Sequence, residues 1–406
     1  MKELIVIGGG ASGLAAAISA AQANPKCSVT VLEGLDRVGK KILATGNGRC
    51  NLTNKLLSPT HYHSSEPKLL ASFLEQMPLS LATDFFGRLG LICATEDMGR
   101  VYPYSRQAST VLDVLLQALE QYHIRVICDC KVTQLRSAKG KYQILCASGQ
   151  RFTADQVILT GGGMAAPKQG SDGSTLSIAA SLGLSAQPVY PCLTAFRCNN
   201  SAQKGLKGVR ANGKLTLRER DRVLASEIGE IQFTDYGLSG IPAFQLSCHL
   251  KPNCKHAVLE VDLLPQFSDK QLKDYLTHWT KASSKQTLEH FLPGLIHKKL
   301  LYAVTKQVGL SPLSRSVASI TSGELAKLAH ILKHWSFPVT GTLDWAQAQV
   351  TGGGISLSNV HPDFSVKNQP GLFLAGELLD VVGDCGGYNL HWAWCSGILA
   401  GRAAAK

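Results

Sequence analysis

The chain has 406 residues, which is enough for two or three domains and a large buried core. Hydrophobic residues make up 45% and charged residues 17%, so the composition excludes an intrinsically disordered protein and a highly charged coiled coil. The formal net charge is +12, and the 39 glycines follow no triplet repeat, which excludes a collagen-like chain.

The first predicted element is a buried parallel strand over residues 3–7, because this segment is a short run of mostly β-branched apolar side chains. A glycine-rich turn follows at once. Gly8 permits the tight bend, Gly10 allows a pyrophosphate to approach the backbone, and Gly13 lets the next helix pack close to the strand. The spacing indicates a dinucleotide site with its phosphates on a helix N-terminus, and a purely structural turn is the alternative.

An alanine-rich helix to about residue 23 and a strand over residues 28–32 complete a βαβ unit. Glu33 follows the second strand, where a carboxylate binds both ribose hydroxyls of an adenosine and repels the 2′-phosphate of NADP. The apolar N-terminus also imitates a signal peptide. Against a signal peptide, the segment contains Glu3, and a cleavage after residue 21 or 23 would remove the glycine cluster, so we expect a cytoplasmic protein.

The 12 cysteines form no Cys-x-x-Cys pair and no paired Cys/His spacing of the zinc-finger type. In a chain of this length they indicate reduced, mostly buried thiols, and no metal site is expected. No segment offers about 20 consecutive apolar residues, so we expect no membrane-spanning helix.

Residues 39–54 combine glycines, amides and cations, a composition that makes a poor core and a good loop for binding an anion or a ring edge. An ordinary surface loop is the alternative. Cys50 lies in this cationic segment, so a lowered thiol pKa is a reasonable expectation. A structural thiol fits the same position.

The middle of the first half predicts alternating helices and strands. Helices are predicted over residues 68–91 and 106–122, and strands over 124–128, 131–136, 142–147 and 152–160. The last strand ends in Gly161, the first residue of a second glycine cluster. This cluster fits a second crossing of the nucleotide-binding sheet, although a tight turn alone would explain it.

The pattern changes between residues 191 and 340, where strand-like pieces such as 215–218 and 257–263 precede a Lys- and His-rich helical region over about 268–335. Residues 190–340 hold 20 Lys or Arg against 11 Asp or Glu, so they carry +9 of the net charge. This charge suggests a polyanionic partner such as RNA or a membrane surface. A basic face without a partner is the alternative.

The final block returns to the nucleotide-binding pattern. A strand over residues 371–375 ends in Gly376 and Glu377, the arrangement of the second half of an FAD site, with the acid near the ribityl or pyrophosphate portion. A helix that begins at about Asn389 can direct its N-terminus at the flavin ring and stabilise the anionic reduced form by ~0.5 to 2 kcal/mol. The last strand and helix of another α/β domain would give a similar pattern.

Taken together, these segments resemble the bacterial BaiN/RdsA family of FAD-dependent oxidoreductases along essentially the whole chain. The segments that carry the resemblance are residues 8–13, 39–54 with Gly-Arg-Cys-Asn, 236–247, 348–354, and 371–397 with Gly-Gly-Tyr-Asn-Leu and Trp-Ala-Trp. The resemblance implies an α/β fold: a Rossmann-type FAD-binding domain, three-layered with a mostly parallel sheet, and an inserted β-rich, barrel-like domain with a small helical subdomain. The expected domains are residues 1–190, 191–340 and 341–406, with the first and last parts forming the FAD-binding domain.

Motif and resemblance together predict an FAD site. Its expected members are Gly8, Gly10, Ala11, Ser12, Gly13, Glu33, Lys40, Lys41, Arg49, Asn51, Val132, Gly161, Gly376, Glu377, Asp380, Gly387, Asn389 and Leu390. Val132 is included by position only, as a backbone contact to the adenine. The chain has no second Gly-x-Gly-x-x-Gly motif for a nicotinamide, so either NAD(P)H docks transiently over the flavin or another donor reduces it.

The resemblance also implies a reaction. Members of the family are linked to the reduction of activated carbon–carbon double bonds, in a steroid enone and in a uridine of large-subunit ribosomal RNA. Flavin N5 delivers a hydride to the β-carbon and an acid protonates the α-carbon. Candidate acids near the motifs are Cys50, Cys385, His391 and Tyr388. Cys50 is preferred if its pKa is near neutral, and water is the alternative.

The basic insert favours a ribosomal RNA dihydrouridine synthase, because phosphate contacts by Lys and Arg supply most of the affinity for RNA. Aromatic side chains within the insert could stack a splayed base, although core packing is their more common role: Phe196, Tyr236, Trp279, Phe291 and Trp335. The alternatives are an NAD(P)H-dependent small-molecule ene-reductase or oxidase, and a non-catalytic flavin-containing RNA-binding factor.

Overall fold

The computed structural model describes residues 2–199 and 205–406. The chain forms two compact units, Met1–Cys192 with Trp345–Lys406, and Leu193–Asp344. We refer to them as the nucleotide-binding unit and the inserted unit.

The helices of the nucleotide-binding unit are α1 (Ala11–Ala23), α2 (Lys40–Ala44), α3 (Pro67–Leu74), α4 (Leu79–Arg88), α5 (Ala108–Gln121), α6 (Ser174–Ser181) and α11 (Tyr388–Ala404). Its strands are β1 (Lys2–Ile7), β2 (Cys27–Leu32), β3 (Thr53–Asn54), β4 (Tyr62–His63), β5 (Cys93–Thr95), β6 (Arg100–Pro103), β7 (Arg125–Ile127), β8 (Val132–Ala138), β9 (Lys141–Cys146), β10 (Arg151–Ala154), β11 (Gln156–Leu159), β12 (Ala186–Cys192), β19 (Val350–Ile355), β20 (Leu372–Leu374) and β21 (Val382–Gly383).

The inserted unit contains helices α7 (Ile241–Ser247), α8 (Asp269–Ala282), α9 (Lys298–Gln307) and α10 (Ser322–Lys333). Its strands are β13 (Phe196–Cys198), β14 (Arg210–Glu219), β15 (Arg222–Phe233), β16 (Gly237–Ser239), β17 (Ala257–Asp262) and β18 (Trp335–Thr342).

A parallel sheet in the order β20–β11–β1–β2–β7 forms the centre of the nucleotide-binding unit. β1 is buried along most of its length and pairs in parallel with both β2 and β11. The chain order therefore reverses at β1, and in open α/β sheets ligands bind at this switch point, beyond the carboxyl ends of the strands. Gly8 follows β1 and Gly161 follows β11 just after Thr160, so both glycine clusters reach this edge.

Helices α1 and α11 pack against each other at unusually close range, because α11 presents glycines to α1. A Cβ added at Gly397 would lie 2.3 Å from the carbonyl oxygen of Ser12, and one at Gly401 would lie 2.1 Å from that of Ala16. Four residues further along α11, the contact lies four residues further along α1, so the two helices run in the same direction. Their N-termini therefore lie at the same end of the unit.

The strands of the inserted unit form a closed antiparallel barrel in the order β13–β16–β15–β14–β17–β18. Barrel strands and the helices α8, α9 and α10 bury a common apolar core. Phe196, Phe291 and Trp335 are fully buried in it and cannot stack a base, whereas Tyr236 is half-buried and Trp279 is 41% exposed. The three buried rings stabilise the fold because burial removes their apolar surface from water.

The predicted fold class is confirmed: a Rossmann-type parallel sheet is combined with an inserted barrel and a helical subdomain. Two predicted elements are each divided. The helix expected over 68–91 becomes α3 and α4, because Pro78 disfavours helical geometry in the residue before it. The strand expected over 152–160 becomes β10 and β11, which join different sheets on either side of Asp155.

Within the two described ranges, no helix is long and apolar enough to cross a membrane. The same residues contain no group of three or more His, Cys, Asp or Glu arranged to hold a metal ion.

Candidate functional site

The turn after β1 is tightly packed at its two ends and open in the middle. Gly8 has a φ of 108° and lies against Gly161, whose Cα would be 2.8 Å from an added Cβ. An added Cβ at Gly13 would lie 1.9 Å from the Gly8 carbonyl oxygen. At Gly10 an added Cβ would meet no atom within 4 Å. The open position is where a pyrophosphate would approach the backbone.

The N-terminus of α1 supplies donors at the same place. Gly10 caps the helix, and the Leu14 N–H donates to its carbonyl oxygen over 2.9 Å. The preceding N–H groups, those of Ala11, Ser12 and Gly13, have no acceptor within a helix of this geometry. They also concentrate the positive end of the helix dipole, so the turn favours an anionic group.

Glu33 is held beside this turn by two backbone donors. Its Oε2 accepts from the Gly9 N–H over 2.7 Å, and its Oε1 accepts from the Leu35 N–H over 2.9 Å. Each carboxylate oxygen has a second lone pair that can accept a bond from a ribose hydroxyl. Val132 is buried in β8, two residues after Cys130, whose N–H donates to the Glu33 carbonyl oxygen.

Lys41 and Glu377 form an ion pair between distant segments of the chain. The Lys41 Nζ lies 2.7 Å from the Glu377 Oε2 and donates to the Ala165 carbonyl oxygen over 3.0 Å. The Glu377 Oε1 accepts from both the N–H and the hydroxyl of Thr351, over 3.0 and 2.8 Å. Thr351 was missed as a site residue, because its place next to Glu377 is not visible in local sequence.

Gly376, which precedes this glutamate, packs against the start of α1. With a φ of 78°, it would bring an added Cβ within 2.4 Å of the Ser12 hydroxyl oxygen. The segment after β20 and the glycine turn after β1 thus lie together. The structure brings the predicted residues of the two ends of the chain to one place.

The N-terminus of α11 forms the second part of the candidate site. Gly387 caps this helix with a φ of 101°, and the Asn389 amide bonds both the N–H and the carbonyl oxygen of Gly383, over 2.8 and 2.6 Å. Asn389 therefore shapes the turn, while Leu390 is half-buried one residue further on. The buried Asn51 Oδ1 has no hydrogen-bond partner among residues 2–199 and 205–406, and it lies 2.8 Å from a Cβ added at Gly387.

Three predicted FAD contacts have other partners in the structure. Lys40 pairs with Asp36 over 2.8 Å. Arg49 pairs with Glu96 and lies 4.2 Å above the centre of the Tyr102 ring. Asp380 is buried and accepts from the N–H and hydroxyl of Ser65, over 2.9 and 2.5 Å.

The expected lowering of the Cys50 pKa is wrong. The side chain is fully buried, and burial raises the pKa of its thiol to about 12. The cations that suggested a lowered pKa are engaged elsewhere, with Arg49 paired to Glu96. Cys50 is therefore a protonated core thiol.

The other candidate acids differ in their burial and in their hydrogen-bond partners. His391 is buried, with its Nδ1 2.8 Å from the Thr53 hydroxyl and its Nε2 2.9 Å from the Met77 carbonyl oxygen, so both ring nitrogens are used inside the core. Burial lowers its pKa. Tyr388 is buried and its hydroxyl donates to the Leu56 carbonyl oxygen over 3.3 Å, while Cys385 is half-buried.

A cluster of two histidines and an aspartate lies beside the start of α11 and was missed in the sequence. Strand β4 pairs with β21, and this places His61 and His63 next to Asp384. The His61 Nδ1 lies 3.0 Å from the Asp384 Oδ2, and the His63 Nε2 lies 2.8 Å from its Oδ1. The His61 ring stacks on Tyr388 with ring centres 4.5 Å apart. The alternating His-Tyr-His sequence was the only local signal.

These features fit FAD. An open glycine turn at a helix N-terminus suits a pyrophosphate, and the oriented Glu33 carboxylate suits a ribose. The unpartnered Asn51 Oδ1 beside Gly387 suits an N–H on the edge of the flavin ring. All of these residues belong to the nucleotide-binding unit.

Comparisons with known proteins agree with this site. The family model described as HI0933-like protein Rossmann domain matches residues 2–403. The chain is 39% identical over 414 residues to the 3-dehydro-bile acid delta(4,6)-reductase of Clostridium scindens, with 100% of both sequences covered. It is 28% identical over 401 residues to the ribosomal RNA dihydrouridine synthase of Haemophilus influenzae, with 97% of this chain and 96% of that protein covered.

Among solved structures, the chain resembles the 3-ketosteroid delta1-dehydrogenase of Sterolibacterium denitrificans, determined in complex with 1,4-androstadiene-3,17-dione. The TM-score is 0.52 at 13% sequence identity, and 100% of both chains is covered. At this identity the likeness concerns the fold alone.

Proposed function

The chain belongs to the HI0933-like family of FAD-dependent oxidoreductases, as its resemblance to the BaiN/RdsA family predicted, and on this premise we propose that it reduces a carbon–carbon double bond conjugated to a carbonyl group. The preferred substrate class is a small-molecule enone of the 3-oxo steroid type. The observation that carries this preference is the 39% identity, over both full lengths, to a protein named as a bile acid delta(4,6)-reductase.

Bound FAD, once reduced, supplies the hydride that adds to the β-carbon of such a substrate. The chain's own residues hold the cofactor in place. The open turn at Gly10 and the N-terminus of α1 bind the pyrophosphate, and Glu33 orients the adenosine ribose. The N-terminus of α11 and the Asn51 Oδ1 would orient the flavin ring, and the positive end of this helix dipole would stabilise negative charge on it.

The ion pair between Lys41 and Glu377 connects the N-terminal and the C-terminal parts of the candidate FAD site. Lys41 is the second residue of α2, and Glu377 follows β20. Their ion pair is about one-fifth exposed on each side, so it is only partly screened by water. We propose that the pair fixes the distance between the phosphate-binding turn and the segment that leads to α11.

The test is an anaerobic reoxidation experiment. The flavin of the purified protein is reduced with NADH or NADPH in the cytoplasmic pH range, and candidate acceptors are then added. A 3-oxo-Δ4 steroid acid should restore the oxidised flavin spectrum, whereas the matched saturated 3-oxo steroid acid should not. If no conjugated carbonyl compound reoxidises the flavin, the small-molecule function is wrong.

A second candidate is the dihydrouridine synthase of ribosomal RNA that the sequence analysis placed first. The basic charge of residues 190–340 favours it, together with the 28% identity to a protein of that name. Uridine presents the same conjugated double bond, so the flavin chemistry would be shared. Nucleoside mass spectrometry of large-subunit ribosomal RNA from cells with and without the gene tests it, and dihydrouridine that does not change would exclude it.

A further inference from the structure

The histidine–aspartate cluster beside α11 has the geometry of an oriented proton donor. Asp384 accepts from His61 through one carboxylate oxygen and from His63 through the other. The Asp384 N–H in turn donates to the His61 carbonyl oxygen over 2.9 Å, which closes a ring between the two segments. Burial raises the pKa of Asp384, but the hydrogen bonds from His63 and His61 outweigh it, and the pKa lies below its usual value of 3.8. Asp384 is therefore ionised throughout the neutral range.

The carboxylate fixes how His61 carries its proton. Because an ionised carboxylate can only accept, Nδ1 of His61 carries hydrogen, and in the neutral ring Nε2 is the free acceptor. Within the described part of the chain, His61 Nε2 makes no hydrogen bond. The His61 side chain is 37% exposed, so this nitrogen can exchange protons with water.

The position of the cluster ties it to the expected flavin ring. His61 stacks on Tyr388, the first residue of α11. The same helix end is bordered by the unpartnered Asn51 Oδ1 and by Asn54, whose amide donates to the Gly386 carbonyl oxygen over 2.9 Å. The cluster therefore contacts the residue that follows Gly387, at the helix end where the flavin ring is expected.

We propose that His61 is the catalytic acid that protonates the α-carbon of the substrate, and that Asp384 is its positioning residue. This inference rests on the proposed function. The Nε2–H bond of the imidazolium breaks, and a C–H bond forms with the electron pair of the enolate left by hydride addition at the β-carbon. The ring becomes neutral and regains its proton from water.

The neighbouring groups are less suited to this step. Tyr388 directs its hydroxyl to the Leu56 carbonyl oxygen, and burial raises its pKa. His391 uses both ring nitrogens in the core, and Cys50 is a buried thiol. Among the described residues, Asp384 and Tyr388 contact His61, His63 shares the Asp384 carboxylate, and Arg100 acts on Tyr388 from β6.

The test separates hydride supply from protonation. In His61→Gln, FAD content and the rate of flavin reduction by the nicotinamide donor should stay within about twofold of wild type, whereas reoxidation by the enone should slow by about 10²- to 10³-fold. His361→Gln, at an exposed histidine of the same unit, should leave both rates unchanged. A His61→Gln protein that reoxidises at the wild-type rate, or a His63→Gln protein that loses the rate instead, would overturn the assignment.

Product stereochemistry gives a readout that a structural defect would not produce. In D2O the wild type should place deuterium on a single face of the α-carbon, because one fixed acid delivers it. Residual product from His61→Gln should carry deuterium on both faces, because water replaces the acid. Retention of a single face in the variant would contradict the role of His61.

The role of Asp384 is tested without substrate. Nitrogen-15 NMR of the oxidised protein should show neutral His61 as the Nδ1–H tautomer in wild type and as mainly the Nε2–H tautomer in Asp384→Asn. An unchanged tautomer would refute the positioning role. This measurement does not use the His61→Gln variant, so it remains valid if that variant does not fold. Failure of the proposed function would look different: the wild type itself would not be reoxidised by any conjugated carbonyl compound.

Discussion

Burial determines the chemistry available to single side chains in this protein, and Cys50 is the plainest case. With a pKa of about 12, only about one thiol in 10⁴ would be ionised at pH 8, even without steric protection. We therefore expect Cys50→Ala to leave reoxidation by an enone within twofold of wild type and to lower the free energy of unfolding by about 1 kcal/mol.

Iodoacetamide labelling with peptide mass spectrometry checks the same point. Native protein at pH 8 should be labelled at Cys50 at least tenfold more slowly than in urea. Rapid native labelling, or a tenfold slower reoxidation by Cys50→Ala, would return this thiol to the list of candidate acids.

Gly10 is the one position of the nucleotide turn where a side chain would disturb the ligand and not the protein. An added methyl group meets no atom within 4 Å, and the backbone φ of −83° suits alanine. We expect Gly10→Ala to leave the melting temperature of the FAD-free protein within about 2 °C of wild type while it weakens FAD binding at least tenfold, because the methyl group occupies the space of the pyrophosphate.

FAD retention after gel filtration, measured by the flavin absorbance relative to protein, tests this expectation. Gly323→Ala in α10 is the matched control, since its added methyl group also meets no atom within 4 Å. Equal retention of FAD in the two variants would mean that the pyrophosphate does not lie at this turn.

At the scale of elements, the contact between α1 and α11 links the phosphate end of the site to its ring end. An alanine at Gly401 would place its Cβ 2.1 Å from the backbone oxygen of Ala16, and backbone atoms cannot move aside without moving a helix. We expect Gly401→Ala to destabilise the protein by about 2 kcal/mol, the usual cost of overpacking, and to reduce FAD retention because the N-terminus of α11 shifts.

Gly87→Ala provides the comparison, because Gly87 is exposed in α4 and an added methyl group meets nothing within 4 Å. It should stabilise the protein by up to about 1 kcal/mol, in line with helix propensity. Urea unfolding of both variants, monitored by flavin fluorescence and circular dichroism, measures these changes in the free energy of unfolding. A neutral Gly401→Ala would show that the two helices have room to separate.

The glycine turn and Glu33 were predictable because their constraints lie within one short stretch of sequence. The positive φ of Gly8, the close approach of Gly13 to the Gly8 carbonyl oxygen and the position of Glu33 after β2 follow from a single βαβ unit. The Lys41–Glu377 pair and the His61–Asp384 pair were not predictable, since each joins segments more than 300 residues apart. Chain topology, which no local pattern encodes, brings them together.

On the scale of the whole molecule, the positive charge of the inserted unit has two explanations: a surface that binds RNA, or a basic face without a partner. Some of its cations are paired, as in Lys333 with Asp262 over 2.6 Å. Others are exposed on α8 without a carboxylate within ion-pair distance in the described chain, among them Lys273 and Lys281, and the same helix carries the exposed Trp279. Exposed lysines neutralise phosphates and an exposed aromatic ring stacks on bases, so we propose this helix as a contact for single-stranded RNA.

We therefore expect binding of uridine-rich single-stranded RNA to weaken steeply with salt. Three phosphate contacts would give a slope of about −2 in a plot of log affinity against log salt concentration, because each contact contributes about 0.7. The double variant Lys273→Glu with Lys281→Glu should flatten this slope by about 1.4. Lys26→Glu with Lys139→Glu changes the net charge equally at exposed lysines of the nucleotide-binding unit and should leave the slope unchanged.

Fluorescence anisotropy between 50 and 300 mM salt measures both slopes, and enone reoxidation is followed in the same variants. If the α8 variant loses RNA affinity while enone reoxidation is unchanged, the basic face and the flavin site act independently, and a nucleic-acid substrate has a physical route to the protein. If affinity is indifferent to salt, or both double variants lose it equally, no localised RNA surface exists. The charge of the inserted unit would then reflect solubility alone, and the small-molecule reductase would remain as the function.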